Sequence, residues 1–149
     1  MTKFSLVIVT FIVAATVSAG TRFEAKTWQA VQEFDPMTLE KSLGSHTGQW
    51  IAVKFNFRGK GIHHLKPNWY EGSIWGPNTQ KSGKFAHVRV MVAKKDLPAF
   101  KAITTDSTSA APLIGYGKVA RDFDANFLFV RLIGTKATVD PAGNATVDW

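Results

Sequence analysis

From Gln49 onward, apolar and polar positions alternate. Ile51, Val53, Phe55 and Phe57 fall on one side of an extended segment, with Trp50, Ala52, Lys54 and Asn56 on the other. Period two marks a strand with one buried face, so residues 49–57 are expected to form one. A second alternation, Val88, Val90 and Val92 against His87, Arg89 and Met91, predicts a strand over residues 86–93. Between the two, the Gly- and His-containing residues 58–67 read as a turn, and residues 69–75 as a short strand with Gly72 as a bulge. Pro77, Asn78 and Gly83 mark another loop. Residues 113–121 and 127–133 supply two further strands, the latter with Leu128, Val130 and Leu132 on one side, parted by a polar turn over residues 122–126. Residues 136–139 and 145–149 predict a final hairpin around Pro141, Ala142 and Gly143.

Helical signals are fewer. Asp35 before Pro36 is a start signal: Asp caps the first amides, and Pro at the first helical position gives up no needed donor. Met37, Leu39 and Leu43 follow, and Gly44 is read as the stop. Upstream, residues 20–34 read as a loosely amphipathic arm or helix with Phe23, Trp28, Val31 and Phe34 as its apolar members. Asp96 is read as the cap of a short helix over residues 97–103, with Pro98 in its first turn. Residues 104–112, poor in large apolar side chains, read as a loop.

Three strands, one helix and two strands, preceded by a helix and trailed by a hairpin, resemble the OB-fold, a five-stranded Greek-key barrel with its helix between the third and fourth strands. The resemblance rests on residues 50–57 and 87–92, the helix start over residues 96–100, and Tyr116-Gly117-Lys118-Val119. It implies a mainly β protein, similar in size and layout to small exported bacterial OB-fold-like proteins. The expected fold is thus an OB-like barrel over residues 49–149, behind an N-terminal helical segment at residues 20–48. A β-sandwich or lipocalin-like barrel competes, but the latter needs about eight strands.

The N-terminus adds a location. After Lys3 comes an almost unbroken apolar run from Phe4 to Val17, and Val17 and Ala19 hold the small-residue positions of a cleavage site before Gly20. The run is shorter than the roughly 20 apolar residues a spanning helix needs, so residues 1–19 read as a signal peptide. The mature chain is expected to be exported, to the periplasm in a Gram-negative source and otherwise secreted, with no transmembrane segment. It keeps 17 Lys and Arg against 11 Asp and Glu, a formal charge of +6, and contains no cysteine. That composition excludes a thiol nucleophile, a cysteine metal site and a disulfide framework. It also points to anionic partners.

Catalytic signals are weak. His63 and His64 are adjacent, and neighbours in a strand project to opposite faces, so they do not read as a metal pair. Gly59-Lys60-Gly61 lacks the spacing of a phosphate loop. Ser73 and Ser82 lie in no nucleophile elbow, and Asp122 and Asp124 read as turn residues. Asn144-Ala145-Thr146 matches a glycosylation acceptor. No catalytic residue, metal or cofactor is assigned, and an enzyme is not expected. The proposed barrel's outward face is richer. Lys54 and Arg89 point outward there, Arg58 and Lys60 extend the first strand, and Trp69 and Trp75 lie on the second. Cations attract phosphate or carboxylate and rings offer stacking platforms. These six residues are the candidate ligand site, for an anionic polymer, glycan or lipid headgroup. The alternative is a structural or envelope-stress protein that contacts other proteins.

Overall fold

Ile51, Val53 and Phe55 are buried as their alternation requires, and so are Val88, Val90 and Val92. They lie in a mainly β protein with two sheets. The computed structural model describes residues 19–55, 63–66, 69–77, 85–105, 112–121 and 127–149, and for residues 63–66, 69, 71–77, 85, 87 and 104–105 the backbone alone. In chain order the elements are β1 (Thr21–Phe23), α1 (Ala25–Gln29), β2 (Gln32–Phe34), α2 (Pro36–Ser42), β3 (Trp50–Phe55), β4 (His63–Lys66), β5 (Trp69–Pro77), β6 (Phe85–Ala93), α3 (Leu97–Thr105), β7 (Leu113–Arg121), β8 (Leu128–Gly134), β9 (Lys136–Val139) and β10 (Ala145–Asp148).

The larger sheet has the order β2-β3-β7-β8-β6-β5-β4, with parallel pairs at β2–β3 and β6–β8. It does not close through hydrogen bonds among the described residues, although it curls enough for β3 and β5 to approach one another. One face carries the main core: Ile51, Val53 and Phe55 from β3, the three valines of β6, Val119 from β7, and Val130 and Leu132 from β8. Leu39 of α2 and Phe100 of α3 are buried against it. Gly115 makes room for the Phe55 ring, since an added Cβ would lie 2.9 Å from Phe55 Cε1. The smaller sheet, β1-β10-β9, contains the expected C-terminal hairpin.

Local signals explain α2. Asp35 Oδ1 accepts hydrogen bonds from the Met37 and Thr38 amides at 2.9 and 3.0 Å, and Pro36 occupies the first turn. The Thr38 hydroxyl donates to Asp35 Oδ2 at 2.6 Å. These bonds, the Thr38 hydroxyl foremost, hold the Asp35 carboxyl below its ordinary value.

Several expectations need correction. Residues 20–34 are not one arm or helix: they supply β1 to the small sheet, a single-turn-length α1, and β2 to the edge of the large sheet. A segment this short gains little as an isolated helix, and strand partners far away in sequence capture its ends. α2 ends at Ser42, just before Gly44 as expected, but Gly44 is not a left-handed cap: the chain continues through a 3-10 turn over Leu43–His46, and the left-handed position falls at Gly48, φ 83°. Gly72 pairs in regular register with Val90. The irregularities lie instead between His64 and Lys66 and between Tyr116 and Gly117. His63 and His64 belong to edge strand β4 rather than to a turn, and Pro77 still belongs to β5. Asp96 ends a 3-10 turn that runs into α3. The turn residues 122–126 and most of the 104–112 loop fall outside the described residues.

Candidate functional site

Residues directly opposite one another on neighbouring strands share a face, so the register maps the surface opposite the core. One line across the sheet runs Trp50, Lys118, Arg131 and Met91, on β3, β7, β8 and β6. A second joins Glu33, Ala52 and Tyr116. Lys54 sits opposite Ile114, and Ala120 opposite Phe129. This outer face has two unlike halves.

At the β3–β7 corner the small sheet lies on it. Phe23, Ala145 and Val147 are buried there against Trp28, Trp50, Tyr116 and Ile133. The Phe23 ring meets Trp50 edge-on at 4.9 Å, and Trp28 lies 5.3 Å from Tyr116. Gly134 permits the crossing, since an added Cβ would collide with the Asp148 carbonyl. Asn144 ties the hairpin to α1, accepting from the Ala25 amide through Oδ1 at 3.0 Å and donating through Nδ2 to Asp140 at 3.2 Å. Bonds from Asn144 lower the Asp140 carboxyl. Burial, with a smaller contribution from the Glu33 charge, raises the Tyr116 phenol.

Across β7, β8 and β6 the outer face is a charged strip. Lys118, Arg131 and Arg89 are exposed, above the buried Phe129 and Met91. Lys118 is the direct cross-strand partner of Arg131. The Arg89 guanidinium lies 4.3 Å over the Phe127 ring, which in turn sits edge-on to Phe129 at 6.3 Å. Lys118 Nζ lies 5.7 Å over the Trp50 ring, at the border between the halves.

The six residues chosen from sequence are not gathered into one site. Lys54 and Arg89 are both exposed on the outer face. They are separated by three ladder steps, about 14 Å, and by six residues along the strands, about 20 Å. Trp69 and Trp75 belong to β5, where the backbone register sets them opposite Ala93 and His87. Arg58 and Lys60 lie outside the described residues. Trp50, which alternation alone turns toward solvent, is half-buried under Phe23. Lys118, Arg131 and Phe127 were missed, although period two in β7 and β8 marks the first two: each lies between core residues.

Two cavities flank the outer face. One of about 400 Å³ lies between the start of β1, the β6–α3 junction and the chain end, and includes Lys95, Arg131 and Trp149. The other, of about 390 Å³, lies beside Trp50 and is bounded by Thr27, Ala30, Gln32, Gly48 and Gln49. Among the described residues, no three His, Cys, Asp or Glu side chains are placed to hold a metal ion, and no helix is long and apolar enough to cross a membrane. No protein-family model matches the chain, and no curated protein matches it.

Proposed function

We propose that the protein is an exported, non-enzymatic binding module that holds an anionic polymer along the charged strip. The observation that carries this reading is the direct opposition of Lys118 and Arg131, with Arg89 exposed on the next strand. Cations brought together on one face attract the phosphate or carboxylate groups of a polyanion. Arg89 over Phe127 adds a cation beside an aromatic platform, the pairing that suits phosphate or carboxylate groups on a polymer.

The proposal includes an OB-like scaffold. It is supported by the ladder order β3-β7-β8-β6-β5, the parallel β6–β8 pair, α3 between β6 and β7, and the approach of β3 to β5. Export rests on the Lys3 to Ala19 pattern.

The test is binding of residues 20–149 to single-stranded DNA, an acidic polysaccharide and anionic vesicles at rising salt. Affinity for at least one should fall steeply with salt. Changing Lys118 and Arg89 together to Ala should weaken that binding and flatten its salt dependence by about two charges, while Lys54→Ala leaves it unchanged. Equal binding by wild type and the double variant on all three would refute the site. The chain would then read as an envelope component that contacts other proteins.

A further inference from the structure

The chain enters β1 along the wall of the larger cavity. Ala19 and Gly20 form part of that wall, and Lys95, Asp96, Arg131 and Asp148 bring charged residues to the rest of it. The register fixes residue 20 in this place. Thr21 pairs with Val147, so one step further along the antiparallel ladder Gly20 lies opposite Asp148, and Asp148 has Lys136 of β9 on its other side. The Gly20 backbone is so close to β10 that an added Cβ would fall 2.6 Å from the Val147 carbonyl oxygen and 2.9 Å from Thr146 Cγ2. Residue 20 is therefore a half-buried, packed point of the chain.

Removal of residues 1–19 changes the charge at that point. Hydrolysis of the Ala19–Gly20 bond consumes one water: Ala19 departs with a carboxylate, and the Gly20 nitrogen becomes an α-amine, protonated at neutral pH with an ordinary pKa of about 7.7–8.0. An uncharged amide is thus replaced by a cation with three donors. Asp96, half-buried, and Asp148, exposed, line the same cavity. Among the described residues, no hydrogen bond or ion pair engages either carboxylate. Opposite charges on neighbouring strands attract, and the attraction grows where a group is partly withdrawn from water. Lys95 and Arg131 oppose it from the same cavity, which keeps the net effect moderate.

We infer that cleavage completes the small sheet: the Gly20 ammonium supplies the cation for Asp96 and Asp148, and holds β1 on β10 more firmly in the mature chain than in the precursor. This rests on the proposed signal peptide. Pairing raises the amine above its ordinary value, so the added stability is present below about pH 7.7 and is lost as pH rises through the raised value. The test compares residues 20–149 with a free Gly20 amine against the same chain acetylated at that amine. The free form should melt about 3 °C higher near pH 6.5, the two should converge near pH 10, and NMR should show the Gly20 amine titrating above about 8.0. Asp96→Asn with Asp148→Asn should erase the difference between the two forms, and polyanion binding on the strip should be equal in both. Equal melts near pH 6.5, an amine that titrates at its ordinary value, or a difference that survives in the double variant would overturn the inference. The mass of the exported protein reports separately on the cleavage site, so failure of the export reading is distinguished from failure of this pairing.

Discussion

The two halves of the outer face follow the same strand alternation and have opposite fates. At the β3–β7 corner, Trp50 and Tyr116 are packed beneath Phe23 and Trp28 by a second sheet. On β8 and β6, Arg131 and Arg89 stay exposed on the same face, beside the buried Phe129 and Met91. Alternation therefore identifies which residues leave the main core, but not which of them meet water. That is settled by the small sheet, whose strands come from opposite ends of the chain, with Thr21 of β1 opposite Val147 of β10.

The sharpest way to break the distinction is to remove the core that both halves share. Val90 is fully buried at the centre of the large sheet. Val90→Asp places an unpaired charge there, at a cost of several kcal/mol, a large share of the roughly 5–15 kcal/mol a domain possesses. Loss of the cooperative melt is expected, and an unchanged melt would mean that this face is not the core.

Phe23→Ala strikes the covered corner alone. The side chain is 7% exposed, and its removal should cost about 3 kcal/mol. Tryptophan emission should shift to the red as Trp28 and Trp50 gain water, while salt-dependent binding on the strip survives. A blue or unshifted spectrum would show that the corner does not rely on Phe23.

Asp35→Ala tests the opposite side of the sheet, where α2 packs on the core, and should cost about 1 kcal/mol through the lost cap. Its pH dependence follows from the lowered carboxyl. The cap's contribution is present above the ordinary value of 3.8 and fades as pH falls through the lower folded value. Wild type and Asp35→Ala should therefore converge in stability in strong acid, as read from melts at a series of pH values.

Smallest of all is Arg89→Ala on the strip. Loss of the contact over Phe127 should lower stability by about 0.5 kcal/mol, and its main effect should be on polyanion binding. A larger drop in the melt would mean that Arg89 is structural, and would bring the strip closer in character to the covered corner.

The sequence determined by itself what short-range chemistry controls. The Asp35-Pro36 start, the period of two in β3, β6 and β8, and the closing hairpin follow from capping geometry, strand pleat and turn residues, each set within a few positions of chain. Only the tertiary structure decided that residues 21–23 and 32–34 become strands, because their partners, β10 and β3, lie elsewhere in the sequence. It likewise separated Lys54 from Arg89 while setting Lys118 against Arg131. No local pattern holds that information: distances across a sheet depend on strand order and register, and both arise from long-range pairing.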